Sequence, residues 1–459
     1  MSSTVSLPTR LEKLVGSDRV RASETALQEF AISGRAPLAV LKPRSAEEVA
    51  EIVSFAVAEN LAVVACGSRS KLELGMPPRG YDLALDMTAL RQIAHYDPGD
   101  LTVSADAGLP LHELEGVLGA KNQFLPLAVP FFETSTLGGA VASGIDSVLR
   151  QQYGTARDFL VGAEFVDGTG KLCKSGGRVV KNVTGYDLHK LLIGTLGTLG
   201  VITRLNFRTF PLPELRGAHL STFTALEPAL DFHASLLKSG LPFSNLELFD
   251  AEFSALLAAW QNKTGGAPKS LSADGWKVVA CFEGSTAVIE RIRRELQERS
   301  ERTKAAHSEN IDARSAQSLE ASFRGAFHWL GRSAPNVAVL RIVLPRAASG
   351  DVAELLSGSQ PPLLRSAFAL RACGVAYVTL LADEEADAAN AILQREVTRL
   401  FSQVEENKGS ATLLHASPWL RERVGVWSAK RADLQMMQRV KQAFDPHNIF
   451  APGRFVGGI

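Results

Sequence analysis

The chain has 459 residues, of which 46% are hydrophobic and 21% charged, a composition typical of soluble globular domains. Its 49 lysines and arginines balance its 49 aspartates and glutamates, so net charge gives no reason to expect nucleic acid or an anionic membrane as a partner. No run of about 18 apolar residues occurs, which argues against a helix that spans a membrane. The length predicts two or three domains.

The cysteines also limit the possible functions. The four lie about a hundred residues apart, and no two form a C-x-x-C pair, which argues against a zinc or iron–sulfur site built from a local motif. Isolated thiols are typical of a reducing compartment, and the first residues show no secretory signal. We therefore expect a cytoplasmic protein.

The first organised stretch predicts a strand, a helix and a second strand, the opening of a βαβ-like unit. Prolines bound an extended segment over 37–43. Ser45 and Glu48 have the spacing of a capping box, and apolar residues at i, i+3, i+4 and i+7 follow, which predicts an amphipathic helix. The apolar run Leu61–Cys66 then predicts a buried strand.

Shorter elements follow. The turn sequence Asp-Pro-Gly-Asp over 97–100 predicts a hairpin around it, and we expect a short helix over 109–118 and strands over 159–166 and 201–210. Prolines near 211–216 indicate a domain boundary. Beyond it, strand and helix patterns alternate, which predicts an α+β sheet with helices packed on one face.

One loop after a predicted strand has the composition of a phosphate-binding segment. Gly67-Ser68-Arg69-Ser70-Lys71 combines turning freedom, hydroxyl donors and two positive charges, which suits a pyrophosphate. The spacing is not that of a Walker A loop. A plain β-turn is the alternative interpretation.

Four further segments are similarly rich in glycine or in small and polar residues. In Glu133–Gly144, hydroxyl residues precede a Gly-Gly pair, and small residues at this density let a ligand lie against the backbone; a close helix–strand crossing would use them equally well. Tyr153–Asp158 and Gly177–Asp187 come next. Gly194–Gly200 has the spacing G-x-x-G-x-x-G and enters a predicted strand, so it is not a dinucleotide fingerprint.

In this order and at these separations, the segments over 37–212 resemble the FAD-binding domain of the PCMH type, in the vanillyl-alcohol oxidase group of flavoproteins. Gly177–Asp187 and the closing Asp445–Arg454 are similar to the FAD-binding subunit of glycolate oxidase. The resemblance implies an α+β protein in which a two-subdomain PCMH-type fold precedes an α+β cap domain with an antiparallel sheet. It divides the chain into an N-terminal segment (1–34), an FAD-binding domain (35–213), a cap domain for substrate or partner (214–430), and a C-terminal helix and tail that return to the FAD domain (431–459).

The resemblance also implies which residues contact FAD. The loop 67–71 would hold the pyrophosphate, and 134–139 with 142–144 would line the flavin and the remaining phosphates. Residues 153–158 would lie near the ribityl or isoalloxazine group, and 201–202 near the adenine. The full predicted set is Gly67, Ser68, Arg69, Ser70, Lys71, Thr134, Ser135, Thr136, Leu137, Gly138, Gly139, Ala142, Ser143, Gly144, Tyr153, Gly154, Arg157, Asp158, Val201 and Ile202.

The positions of the histidines bear on two further expectations, the link to the flavin and the presence of a metal. Some family members bond a histidine covalently to the flavin, but no histidine lies in or beside 67–71, so we expect non-covalent FAD. Many relatives also carry a histidine-rich metal motif in the cap, whereas the segment Leu413–Trp419 holds His415 alone. None of the nine histidines forms HxH, HxxH or HExxH, so we expect no metal.

The resemblance implies an FAD-dependent oxidoreductase acting on CH–OH groups, with hydride transfer from the α-carbon of a 2-hydroxy acid such as glycolate or D-lactate to flavin N5. No catalytic residue stands out, and nothing local distinguishes the cap arginines 324, 332, 341 and 371 as carboxylate ligands. Expected partners are a second flavoprotein subunit and an iron–sulfur subunit, and peripheral attachment to a membrane through a partner subunit stays open.

Two alternatives remain open, and a third is disfavoured. In the first, the chain is a non-catalytic flavin-bearing or assembly subunit whose substrate is oxidised on a partner. In the second, it is an isolated enzyme for another hydroxy acid, sugar or alcohol. A serine hydrolase is disfavoured. Ser68–Lys71 fits S-x-x-K and Lys263–Gly265 fits K-T-G, but S-D-N is missing and Leu74–Pro78 would break the required helix.

Overall fold

The fold of this computed structural model combines three main sheets with surrounding helices, and residues 6–178, 185–264, 271, 274–333, 336–345, 364–382, 386–428 and 432–459 are described. The strands are β1 (Val20–Arg21), β2 (Ala39–Leu41), β3 (Val63–Cys66), β4 (Leu83–Asp86), β5 (Ile93–Asp97), β6 (Thr102–Asp106), β7 (Gln123–Phe124), β8 (Leu160–Val166), β9 (Leu172–Gly176), β10 (Val201–Arg208), β11 (Phe210–Pro211), β12 (Leu215–Phe223), β13 (Phe243–Phe249), β14 (Trp276–Gly284), β15 (His307–Ile311), β16 (Val337–Val343), β17 (Leu364–Arg371), β18 (Val375–Ala382) and β19 (Ser410–His415). The helices are α1 (Leu7–Val15), α2 (Glu24–Gln28), α3 (Ala46–Glu59), α4 (Leu111–Gly119), α5 (Leu137–Ser143), α6 (Arg150–Tyr153), α7 (Ala156–Phe159), α8 (Leu226–Leu237), α9 (Ala251–Thr264), α10 (Thr286–Arg302), α11 (Ala313–Ser333), α12 (Ala386–Glu406), α13 (Pro418–Val424) and α14 (Leu434–Phe444).

The first sheet has the order β1-β2-β4-β3, with β2, β4 and β3 parallel. The apolar stripe of α3 is fully buried against it, as its periodicity predicts. Only half of the expected capping box forms. The Ser45 hydroxyl accepts from the Glu48 N–H at 3.2 Å, but the Glu48 carboxylate is taken by Arg19 and by the N–H of Arg44.

The second sheet is antiparallel, in the order β5-β6-β10-β8-β9, and buries α4 and α5 on one side. The predicted hairpin forms between β5 and β6. The strand expected over 201–210 ends at Arg208, and Phe210 instead pairs with Phe124 in the small β7–β11 ribbon.

The third sheet is antiparallel throughout, in the order β15-β12-β14-β13-β17-β18-β16-β19. The prediction that its helices pack on one face is wrong. Helices α8, α10 and α12 cover one face, while α9 and α11 cover the other. Both faces need cover because the strands direct apolar residues to both of them, as in β17, where Phe368 faces the first group and Ala369 the second.

The α9–α11 side of this large sheet also packs against the first half of the chain. Phe124, Ile145 and Leu149 join its apolar cluster. Three polar contacts cross the same boundary: Arg421 Nη2 to Glu73 at 2.6 Å, Arg341 Nε to Asp146 at 2.6 Å, and the Tyr153 hydroxyl to Glu283 at 2.6 Å. Apolar burial and ion pairs thus hold the two halves in one arrangement.

The closing segment returns to the first sheet. The N–H of Val63 in β3 donates to the carbonyl of Ile449 at 2.7 Å, and the N–H of Ala451 donates to the carbonyl of Val63 at 2.9 Å. Lys441 and Asp445 form a buried ion pair at the start of this return. Among the helices in the described ranges, none is both long and apolar enough to span a membrane.

Candidate functional site

A cleft of about 760 Å³ opens where the loop 67–71 leaves β3. Its walls come from this loop, from α5 and from the segment before β10, so three of the predicted segments meet there. The predicted residues that line it are Gly67, Ser68, Arg69, Ser70, Lys71, Thr136, Gly138, Gly139, Ala142, Ser143 and Ile202.

The loop itself is fixed by one close contact and one left-handed residue. A Cβ on Gly67 would lie 2.1 Å from Thr136 Oγ1, so only glycine lets the loop meet the start of α5. Arg69 has a φ of +65°, and its guanidinium lies over the Phe30 ring at 4.4 Å. That charge is therefore directed to the N-terminal segment.

Lys71 supplies the positive charge on the other side of the loop. Its Nζ donates to Ser70 Oγ at 3.1 Å and to Ser135 Oγ. Ser135 Oγ in turn donates to the carbonyl of Pro130 at 3.0 Å. Ser135 is fully buried and acts behind the cleft wall, holding Lys71 in place.

We expected Gly138 to be small because the flavin approaches its backbone, but the structure shows a different reason. A Cβ there would lie 2.8 Å from Ala107 Cβ, and the Gly138 N–H donates to the Ala107 carbonyl at 2.7 Å. The close helix–strand crossing, the alternative interpretation of this segment, is what the structure shows at Gly138. The residue lines the cleft as well.

The open space beside one glycine of the cleft shows that a ligand could lie directly against the backbone there. Gly197 lines it with a φ of +78°, and, its two chain neighbours aside, no atom of the described residues lies within 4 Å of the position its Cβ would occupy. FAD fits such a wall, since hydroxyls of Ser68 and Ser70 and the Lys71 ammonium can meet its phosphates. The residues that would hold it are those of the loop 67–71, the α5 wall and Gly197.

The remaining predicted residues lie outside the cleft lining. Thr134 is exposed, whereas Leu137 and Val201 are buried in cores. Gly144 lines a neighbouring cavity of about 1070 Å³ that also includes Arg341.

The segment Tyr153–Asp158 faces the large sheet or solvent rather than the cleft. The Tyr153 ring meets Phe124 and Phe210 edge-on, at 5.2 Å each, and its hydroxyl binds Glu283. The Asp158 carboxylate accepts from the Thr155 N–H at 2.7 Å and so caps α7. Gly154 adopts a φ of +80° at the turn between them, and Arg157 is exposed.

A second cavity, of about 500 Å³, lies between the loop and the large sheet and shares Ser70 and Lys71 with the cleft. Here His328 Nδ1 lies 2.7 Å from His415 Nε2, and Phe131 packs edge-on against His328. His415 fits because its ring lies over Gly331, where a Cβ would be 2.3 Å from Cγ. The sequence draws attention to His415 alone, because its partner is 87 residues away.

Arg421 closes this cavity and is almost fully buried. It binds the Glu73 carboxylate and the carbonyl of Glu73. Although burial acts in the opposite direction, hydrogen bonds from the Ser33 N–H and Arg421 lower the pKa of Glu73. The Glu73 carboxylate is therefore ionised at neutral pH.

The cap arginines considered from the sequence have identifiable contacts. Arg371 pairs with Glu247 at 2.7 Å, Arg341 pairs with Asp146, and Arg324 lies over Phe132 at 4.5 Å. The side chain of Arg332 lies outside the described residues, as do residues 179–184 of the segment Gly177–Asp187 and residue 265 of the K-T-G match. Ser68–Lys71 forms a turn, not the start of a helix, which removes the geometry that a penicillin-binding serine needs.

Within the described ranges, no three histidine, cysteine, aspartate or glutamate side chains come together as a metal site. The absence of a metal stays a prediction.

Two family models, both of FAD proteins, match most of the chain. Residues 37–176 match an FAD binding domain, and residues 212–455 match the C-terminal domain of FAD linked oxidases. The chain therefore belongs to the FAD-linked oxidases and is an FAD-dependent oxidoreductase. The expected cofactor, PCMH-type fold and family are confirmed.

Comparison with individual proteins identifies several relatives of this chain. The glycolate oxidase subunit GlcE of Escherichia coli is 36% identical over 217 residues, which is 47% of this chain and 59% of that protein. The glycolate oxidase subunit GlcD of Bacillus subtilis is 24% identical over 91% of this chain and 88% of its own length. The D-2-hydroxyglutarate dehydrogenase of Xanthomonas citri is 25% identical over 91% and 89%. Among solved structures, p-cresol methylhydroxylase shares the fold with a TM-score of 0.75 at 14% identity, over 97% of this chain and 95% of that one.

Proposed function

We propose that this chain oxidises a small 2-hydroxy acid, such as glycolate or D-lactate, as the FAD-binding subunit of a glycolate oxidase-like complex. The relatives support the substrate class, because glycolate and 2-hydroxyglutarate are both 2-hydroxy acids. The subunit names of two of them support assembly into a multi-subunit complex. In that complex we propose a second flavoprotein subunit and an iron–sulfur subunit that would carry electrons onward.

The observation that carries the proposal is the histidine pair beside the cofactor cleft. Oxidation of an alcohol releases a hydride and a proton, and bound FAD supplies the acceptor for the hydride. The hydroxyl proton needs a base within reach of the substrate. His328 and His415 face a cavity that shares Lys71 with the cleft, and two imidazoles at 2.7 Å can hold one added proton between them.

The test is anaerobic reduction of the bound flavin in the purified chain by glycolate or D-lactate, followed by visible absorbance. We expect bleaching by one of them. His415→Gln should slow the bleaching by about 10²- to 10⁴-fold, the usual contribution of a general base, with FAD content unchanged. His95→Gln, on an exposed histidine of β5, is the matched control and should bleach at the parent rate.

A second candidate function has its own support. Three arginines already form ion pairs with carboxylates of this chain, namely Arg341, Arg371 and Arg421. They are therefore less available to bind the carboxylate of a substrate. This favours a flavin-bearing subunit whose substrate is oxidised on a partner. Flavin that stays oxidised in the isolated chain and bleaches only when the partner is added would support that function over the first.

A further inference from the structure

Arg454 reaches the FAD cleft from the closing segment, far in sequence from the glycine-rich set. The residue is only 3% exposed. Its Nη2 donates to the carbonyl of Leu72 at 2.6 Å and also to the carbonyl of Leu74. Its Nε and Nη1 are buried and make no hydrogen bond with the described part of the chain.

The charge of this guanidinium is only partly balanced by nearby groups. The nearby carboxylate of Glu73 is paired with Arg421, and Arg454 forms no ion pair among the residues that the structure describes. Burial lowers the pKa of Arg454 to about 10, which still leaves it protonated at neutral pH. A buried cation with unsatisfied donors is unfavourable unless an anion accepts from it.

The anion must be one that the cleft admits. Other polar groups in this wall include the hydroxyls of Ser68 and Ser70 and the ammonium of Lys71, all of which favour an anionic oxygen ligand. FAD carries its negative charge on its pyrophosphate. We propose that Arg454 binds the pyrophosphate of FAD through the donors that the protein leaves unsatisfied.

The proposal concerns cofactor retention and does not depend on which substrate is oxidised. Because Arg454 also binds the carbonyls of Leu72 and Leu74, it joins three things: the closing segment, the turn after the loop 67–71, and the cofactor. Loss of FAD should therefore loosen the closing segment, and loss of the arginine should weaken FAD binding.

The experiment separates contact with phosphate from support of the turn. Apoprotein with Arg454→Gln is titrated with FAD and with riboflavin, which lacks phosphates, and flavin fluorescence is followed. We expect FAD affinity to fall about 10- to 100-fold, as for loss of charge-assisted hydrogen bonds, with riboflavin affinity within twofold of the parent. ADP and adenosine give the same comparison from the other end of FAD, with only ADP weakened.

Arg421→Gln is the matched control, because Arg421 holds the same turn through the carbonyls of Glu73 and Gly75 but does not line the cleft. In this variant the ratio of FAD to riboflavin affinity should stay at the parent value. Equal losses for both flavins in Arg454→Gln, or no loss for FAD, would overturn the proposal. If that variant does not fold, Arg454→Lys decides by the same two ratios, with a smaller selective loss for FAD and ADP expected.

Discussion

The ion pair between the two halves of the chain offers a quantitative test of the packing. Asp146, just after α5, has a side chain 6% exposed and accepts from Arg341 Nε of β16 at 2.6 Å and from Arg150 Nη1 at 2.5 Å. Although burial acts in the opposite direction, the charges of Arg341 and Arg150 hold the pKa of Asp146 below its ordinary value. Asp146→Asn keeps the shape of the side chain and removes its charge.

The expected loss follows from how far the three groups are removed from water. Breaking a fully buried ion pair costs about 3–5 kcal/mol, whereas an exposed pair contributes about 0–1 kcal/mol. The side chains of Arg341 and Arg150 keep 21% and 30% of their exposure, so solvent partly screens the arginines left behind. We therefore expect Asp146→Asn to lower the free energy of unfolding by about 2–4 kcal/mol.

The assay is urea unfolding at pH 7, followed by tryptophan fluorescence and read at the first transition, since a chain of several sheets need not unfold in one step. Asp18→Asn, which breaks an exposed pair with Arg44, is the control and should cost less than about 1 kcal/mol. The double variant Asp146→Asn/Arg341→Met should recover part of the loss, because one of the two uncompensated cations is gone. Equal losses for Asp146→Asn and Asp18→Asn would refute the reasoning.

The same pair predicts a pH dependence. A carboxyl whose pKa is lower in the folded state stabilises the fold above its unfolded pKa and ceases to do so as the pH falls through the folded pKa. The contribution of Asp146 is therefore present at neutral pH and is lost below about pH 4. The difference in unfolding free energy between parent and Asp146→Asn should shrink over that range, and a constant difference would contradict the assignment.

Three further outcomes are expected. Acid precipitation should release the flavin into the supernatant, whereas a yellow pellet would mean a covalent link. Gly138→Ala should lower the unfolding free energy by about 1–3 kcal/mol through the clash with Ala107, while Gly116→Ala, with open space at its Cβ, should be neutral or stabilising; equal effects would contradict the close crossing. Chelation should leave flavin reduction by substrate unchanged, and near-stoichiometric zinc or manganese whose removal abolishes reduction would show that a metal is needed.

The sequence predicts well whatever is encoded within one segment. The helix α3 and the hairpin β5–β6 carry their own periodicity and turn signals, and the loop 67–71 combines its glycine and its donors within five residues. Such features need no knowledge of the rest of the chain.

Features assembled from distant segments were not predictable in the same way. Which helices cover each face of the large sheet depends on how distant segments pack together, which no single segment encodes. His328 meets His415 across 87 residues, and Arg454 reaches the cleft only because the closing segment pairs with Val63. The sequence shows that residue 138 is a glycine, but it does not show that close contact with Ala107 requires one there.

The return of the closing segment to β3 has a consequence for biosynthesis. A ribosome adding about 5–20 residues per second reaches Arg454 roughly 20–80 s after it has made Cys66. Throughout that interval the open side of β3 lacks Ile449 and Ala451, so an unpaired strand edge is available to other chains. Nascent chains therefore pass through a long aggregation-prone stage, and chaperones that shield strand edges should raise the yield of protein able to take up the cofactor.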